Sequence, residues 1–253
     1  MDKLGVIVLA GGKGTRMKSR LGKVLVKLWA KPLIFWTLDL LRKLGLLERA
    51  VVVTGYRAEI VEKAVKDAGY KVSFARQRSQ LGTAHATGVG LKGLTKIDRY
   101  CRDILVLFGD DSSLYKPGTI RKFIEFHDKR NSVITLLTAK KNKITSLGGL
   151  KRVDGKVVGV LDPDTMKRME VKEHEIVCGA FLFDRKWLSE NLKNAPRSKK
   201  SGEYVLPGLI GVAASQGSYP MTYTLSDPRE WTSINTPEEL KLAQRKKDAR
   251  NGN

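Results

Sequence analysis

Three short segments carry residue types that suit phosphate and nucleotide chemistry. Gly11-Gly12-Lys13-Gly14-Thr15-Arg16 follows the apolar run Leu4–Ala10. Closely spaced glycines let a backbone approach an anion and turn several N–H groups toward it, while Lys13 and Arg16 add permanent positive charge. The spacing matches neither the Walker A pattern nor the dinucleotide-binding GxGxxG, so a P-loop ATPase or a dehydrogenase is disfavoured. Lys23 lies seven residues after Arg16, where a lysine can return to the same phosphates. Phe108-Gly109-Asp110-Asp111 closes the strongest apolar run of the chain. A carboxylate at the carboxyl end of a strand, next to glycine, is placed to hold Mg²⁺ against phosphate oxygens. In the third segment, Gln77-Arg78-Ser79-Gln80-Leu81-Gly82-Thr83-Ala84-His85, the glutamine amides donate and accept at once, which suits a pyrimidine edge. Gly82 allows close approach, and Thr83 can bond the base or cap a following helix. His85 reads as a structural histidine, and Asp111 as a helix cap or surface residue.

The elements that must position these groups alternate along the first half. Apolar, β-rich runs predict strands at 4–10, 50–54, 71–75, 103–108 and 132–139. Helical spacing predicts helices at 32–44, 58–68, 84–91 and 116–129. This alternation implies an α/β fold: an open three-layer, Rossmann-like sheet that binds ligands at the carboxyl ends of its strands. After about residue 145 the pattern shifts to shorter strands near 148–150, 157–161 and 175–183, predicting a smaller β-rich lobe. Helices are expected at 187–192, 203–214 and 237–245, with a strand at 222–225.

Leu9-Ala10-Gly11-Gly12-Lys13-Gly14-Thr15-Arg16-Met17-Lys18-Ser19, followed by Leu21-Gly22-Lys23-Val24-Leu25, resembles the signature of the sugar-1-phosphate nucleotidyltransferases. The likeness is strongest to the uridylyltransferase domain of the bifunctional N-acetylglucosamine-1-phosphate uridylyltransferase/glucosamine-1-phosphate acetyltransferases. It implies a mixed sheet of the nucleotide-diphospho-sugar transferase type, with a sugar-binding lobe. Arg16 and Lys23 would contact the triphosphate and stabilise charge on the phosphate under attack. Leu9, Ala10, Gly11, Gly12, Lys13, Gly14, Thr15, Gln77, Gln80, Gly82 and Thr83 would bind the nucleotide. Asp110 and Asn235, the latter in Ile234-Asn235-Thr236, would hold Mg²⁺. Gly109, Gly149, Asp162, Glu175, Val177 and Gly179 fall where the family contacts the sugar. The implied reaction joins UTP to a sugar 1-phosphate, N-acetylglucosamine 1-phosphate or glucose 1-phosphate, and releases pyrophosphate. Two positions depart from the pattern: Gly22 stands where the family has proline, and Val177 where its Glu-Ile-Asn-Thr-Gly strand has asparagine. Losing a hydrogen-bonding group from a polar pocket can redirect selectivity. Other readings are the same fold with another nucleotide or a non-sugar phosphate acceptor, and a non-catalytic nucleic-acid-binding relative.

The chain has 253 residues and a net charge of +21. That excess suits anionic partners such as nucleic acid, anionic membrane or phosphorylated small molecules. The densest basic stretches are 140–143, 197–200 and 245–250, and the remainder is scattered, which reads as a solvated basic surface. Basic residues interleaved with aromatics, the mark of an RNA-binding face, do not stand out. Cys101 and Cys178 lack CxxC spacing and read as ordinary buried thiols of a reducing compartment, so a cytoplasmic location is expected. No stretch has the length of a membrane span. One domain is expected over 1–253: a nucleotide-binding half at 1–140, a sugar-binding half at 141–236, and a C-terminal helix and basic tail at 237–253. The family's longer enzymes continue into a repeat-built acetyltransferase domain. This sequence has no hexapeptide repeats, and no acetyltransferase activity is expected of it. The sequence does not indicate an oligomeric state.

Overall fold

The structure, a computed structural model, describes residues 3–17, 19, 21–98, 100–111, 113–142 and 147–245. Part of the first basic stretch, Lys143, and the tail 246–253 lie outside them. Strand β1 (Leu4–Ala10) is buried along its whole length, as an unbroken apolar run requires when both faces are covered. The tiny strands β2 (Lys27–Leu28) and β3 (Lys31–Pro32) lead into α1 (Leu33–Leu44). Then come β4 (Ala50–Thr54), α2 (Ala58–Asp67), β5 (Ser73–Arg76), α3 (Thr83–Ile97) and β6 (Asp103–Phe108). After α4 (Pro117–Arg130) and β7 (Ile134–Lys141) come β8 (Gly149–Val153), β9 (Lys156–Leu161) and α5 (Pro163–Arg168). The chain continues with β10 (His174–Asp184), α6 (Arg185–Asn191), α7 (Leu209–Ser215), β11 (Met221–Thr224) and α8 (Pro237–Arg245).

Seven strands form one mixed sheet in the order β11-β7-β10-β6-β1-β4-β5. β1 runs parallel to both neighbours, with Val8 opposite Val52 and Leu9 opposite Phe108. From β1 the chain moves outward to β4 and β5, then returns to β6 on β1's other side. That reversal opens a crevice at the carboxyl ends of β1 and β6, where open α/β sheets take their ligands.

Two apolar clusters make the three layers. Ile34, Leu38 and Leu41 of α1, Val61 and Val65 of α2, and Ile120 and Phe123 of α4 cover one face of the sheet. Ala84, Leu91 and Leu94 of α3, Trp187 and Leu188 of α6, and Leu209 and Ile210 of α7 cover the other. Each such large apolar side chain contributes about 1.5–3 kcal/mol when fully buried. Helix α3 runs further than the sequence suggested, to Ile97, and its Gly90 and Gly93 face the sheet. A Cβ on Gly90 would come within 2.5 Å of Ile7 Cγ2, so the missing side chain lets α3 sit close to β1.

Two expectations change. Of the strands assigned to the smaller lobe, only the hairpin β8–β9 stays outside the main sheet among the described residues. The run Cys178–Phe183 is wholly buried, and it gains cover on both sides by entering antiparallel between β6 and β7. The helix expected over 203–214 begins only at Leu209, after a short 3-10 turn at Leu206–Gly208. Upstream the chain is extended: Tyr204 N–H donates to Leu81 O at 2.8 Å, and Leu206 N–H donates to Thr83 Oγ1 at 2.9 Å.

Candidate active site

The crevice at the sheet's switch point is a cleft of about 500 Å³. Its wall takes Leu9, Ala10 and Gly11 through Arg16 from the end of β1, Lys23 from the next turn, and Asp110 from the end of β6. Gln77, Gln80, Gly82 and Thr83 close it from the β5–α3 side. Val24, Ala86, Phe108 and Glu203 line it too, and the sequence reading missed them as site residues. The Gly-Glu-Tyr run at 202–204 was the available signal for Glu203.

The 77–85 segment is held by contacts that sequence spacing does not reveal. Gln77 is buried, and its side-chain amide donates to Gly82 O at 3.1 Å and meets His85 Nδ1 at 2.9 Å. Gln77 and His85 therefore brace the turn together. Gln80 packs against Gly55, where a Cβ would fall 2.7 Å from Gln80 Nε2. The next residue, Tyr56, donates its N–H to Gly11 O at 3.0 Å and ties the glycine loop to the end of β4. This Gly55–Arg57 turn was also missed, and its only sequence signal is the glycine after strand 50–54.

Lys23, Asp110 and Asn235 meet in one contact. The Lys23 ammonium pairs with Asp110 Oδ2 and donates to Asn235 Oδ1 at 2.7 Å. Burial disfavours the ammonium's charge, but the Asp110 and Asp111 carboxylates more than offset it, so the Lys23 pKa is raised. Asn235 is fixed by the start of α8. Its N–H donates to Glu239 Oε2 at 2.5 Å, and Glu239 N–H donates to Thr236 Oγ1 at 3.2 Å, in the manner of a capping box. A carboxylate and an amide oxygen thus converge on one cationic centre. Hard oxygen donors, few in number, are what magnesium takes from protein, so these residues fit Mg²⁺.

Asp111 is half-buried and does not cap the following helix. The N-cap of α4 is Lys116, and Asp111 Oδ1 is sealed from solvent without a hydrogen-bond partner. Burial, reinforced by the charge of Asp110, pushes its carboxyl up to about 7. An aspartate raised above its unfolded value penalises folding once ionised. The penalty is absent below about pH 4, grows as pH rises, and is complete above about pH 7. Asp111→Asn should therefore be more stable than the parent at pH 8 by on the order of 3 kcal/mol, with the gap closing near pH 4. Thermal melts in chelator at the two pH values check this, and coincident melts at pH 8 would refute it.

The expected sugar contacts spread over a wider area. Gly109 is held through its backbone: its N–H donates to Leu9 O at 3.0 Å, and its carbonyl accepts from Thr37 Oγ1 at 3.2 Å. Gly179 lies in the β10 irregularity, and a Cβ there would stand 2.9 Å from Asp111 Oδ2. Val177, partly buried, packs against the apolar cluster on the α3 face. Glu175 is already engaged by Arg152 Nη2 at 2.5 Å and Thr138 Oγ1 at 2.6 Å. Gly149 faces Leu161 across the β8–β9 hairpin, next to Met166 and His174. Asp162 is exposed and caps α5, accepting from Thr165 N–H at 2.9 Å. None of these six lines the 500 Å³ cleft. Both cysteines are buried and free, and among the described residues no helix is long and apolar enough to cross a membrane.

A mixed α/β sheet whose switch point gathers a glycine loop and a paired-oxygen cation site is the framework of a nucleotide-handling transferase. The chain belongs to the nucleotidyl transferase family, whose profile matches residues 5–246. Among curated proteins it is similar to the bifunctional protein GlmU of Pelobacter propionicus, at 30% identity over 97% of this chain and 52% of that protein. The GlmU of Exiguobacterium sibiricum is 34% identical over 94% of this chain and 51% of its own length. The chain thus spans about half the length of the curated relatives it matches. Its fold is shared with a Bacillus anthracis structure described under the name glucose-1-phosphate thymidylyltransferase. That match has a TM-score of 0.73 and 20% identity, covering 99% of this chain and 96% of the other.

Proposed function

We propose that the protein condenses UTP with a sugar 1-phosphate, N-acetylglucosamine 1-phosphate first and glucose 1-phosphate second, to give a UDP-sugar and pyrophosphate. The observation that carries the reading is the meeting of the glycine loop, Lys23, Asp110 and Asn235 at one cleft. The family and the GlmU relatives support it. Residues 1–140 would serve the nucleotide and 141–236 the sugar, in the cytoplasm, supplying activated sugar for the cell envelope.

In this reaction an oxygen of the sugar phosphate attacks the α-phosphate in line, and pyrophosphate leaves. The protein's task is positioning and charge stabilisation, and no protein nucleophile is needed. N–H groups of the Gly11–Thr15 loop and the Lys13 and Arg16 side chains would take the triphosphate oxygens. Arg16 and Lys23 would stabilise the charge that builds on the α-phosphate. Gln80, with its turn braced by Gln77, would read the pyrimidine edge, and Thr83 and Gly82 would close the base pocket. Asp110 and Asn235 would hold Mg²⁺, which when bound supplies charge neutralisation at the phosphates.

Pyrophosphate release with ATP, GTP, CTP, UTP and dTTP, each paired with either sugar phosphate or with no acceptor, tests the reading. Acceptor-dependent release with UTP supports it, and no release from any pair would overturn it. Val177→Asn restores the amide common in the family. It is expected to raise kcat/KM for N-acetylglucosamine 1-phosphate over glucose 1-phosphate by about tenfold or more. An unchanged ratio would remove residue 177 from the sugar pocket.

A further inference from the structure

The expected roles of Lys23 and of the Asp110–Asn235 pair conflict with the contact that these residues make. Lys23 is assigned to phosphate and the pair to a divalent cation, yet the ammonium sits on both oxygens. A magnesium ion bound between those two oxygens would take the position that the ammonium occupies, and the two charges repel.

The backbone around Lys23 suits an exchange. Gly22 has φ 93° and ψ 149°, a left-handed conformation that the family's proline, held near −65°, cannot adopt. Among the described residues, the nearest atom to a Cβ on Gly22 would be Tyr56 Cδ1 at 3.7 Å, so the dihedral, and not crowding, calls for glycine. On its other side, Lys23 Cβ is seated against Gly14 of the phosphate loop. The base of the side chain is thus fixed beside the loop, and the flexible four-carbon stem beyond it leaves the ammonium free to turn.

Resting on the metal assignment proposed above, we infer that Lys23 is a resident counter-cation that exchanges with Mg²⁺. In the substrate-free protein its ammonium holds Asp110 and Asn235 together. A divalent cation taking those oxygens releases the ammonium toward phosphates on the glycine loop. Metal binding and delivery of the catalytic lysine are then one event.

The test uses the full chain without nucleotide. Trace acetylation of lysines, read by mass spectrometry, is followed against rising Mg²⁺ at constant ionic strength. Lys23 labelling is expected to rise severalfold as Mg²⁺ binds, with Lys63 as the exposed reference. Calorimetric titration with Mg²⁺ gives an independent reading. Lys23→Met should bind about tenfold tighter than the parent. Arg16→Met, which loses the same charge outside the pair, should gain much less. Lys23 labelling that stays flat while Mg²⁺ binds overturns the inference. So does Lys23→Met binding no tighter than Arg16→Met, or Mg²⁺ binding to neither parent nor Lys23→Met. Lys23 exchange without pyrophosphate release from any substrate pair would sink the transferase reading and leave the exchange standing.

Discussion

Replacing Asp110 by asparagine should lower pyrophosphate release by about a thousandfold, the scale seen when one preorganised electrostatic group is removed from a phosphoryl or acyl transfer site. Asparagine keeps the shape and one acceptor but removes the charge. The Lys23 ammonium is then left with Asn235 Oδ1 and the more distant Asp111. The proposed metal site loses its only carboxylate, and a hard divalent cation depends on that charge. The fold should persist, because Asp110 lies at a strand end outside the apolar clusters that cover the sheet. Circular dichroism would show this, while a single-turnover assay with saturating UTP and acceptor reads the chemical loss. A residual rate within tenfold of the parent would take Asp110 out of the reacting centre.

Gly82→Ala should be nearly as damaging by another route. Gly82 has φ 102°, which an L side chain rarely adopts. A Cβ there would also come 2.8 Å from Tyr204 N and 2.9 Å from Glu203 Cβ. Tyr204 is part of the backbone ladder that joins residues 81–84 to the 203–206 chain, so it cannot swing aside. Strained backbone and overpacking together predict a loss on the order of 3 kcal/mol. Displacing Gln80 and Thr83 should raise the KM for nucleotide tenfold or more with less effect on kcat. Gly88→Ala is the same chemical change in the following helix, where the nearest atom is Leu192 Cδ1 at 3.8 Å. There alanine should add about 0.5–1 kcal/mol. Urea unfolding of the two variants should move in opposite directions, and parallel shifts would contradict the packing argument.

Much of the first half was legible because its signals are local. β1, β4 and β6 match the runs 4–10, 50–54 and 103–108 residue for residue, since an apolar, β-branched run between turns has few other solutions. The glycine loop at 11–16 and the acidic strand end at 109–111 stood out for the same reason. Local signals failed where distant groups took over. In the 203–208 stretch, the Tyr204 and Leu206 N–H groups go to Leu81 O and Thr83 Oγ1, and Val205 N–H goes to Pro196 O. Asp111 reads as a helix cap or surface residue, yet Gly179 from β10 packs against it and helps seal its Oδ1.

The amino-acid sequence by itself determined most strands and helices of the first half, the composition of the glycine loop and the acidic strand end beside it. These follow from the periodicity of apolar side chains and from the backbone freedom of glycine, which act over a few residues. Only the tertiary structure decided that Lys23 reaches Asn235, 212 residues away, and that both meet Asp110. It also decided that β10 enters the centre of the sheet and that Glu175 and Asp162 spend their carboxylates on Arg152 and Thr165. Such pairings depend on strand order and on which segments must cover each other's apolar faces, a property of the whole chain that no local pattern encodes.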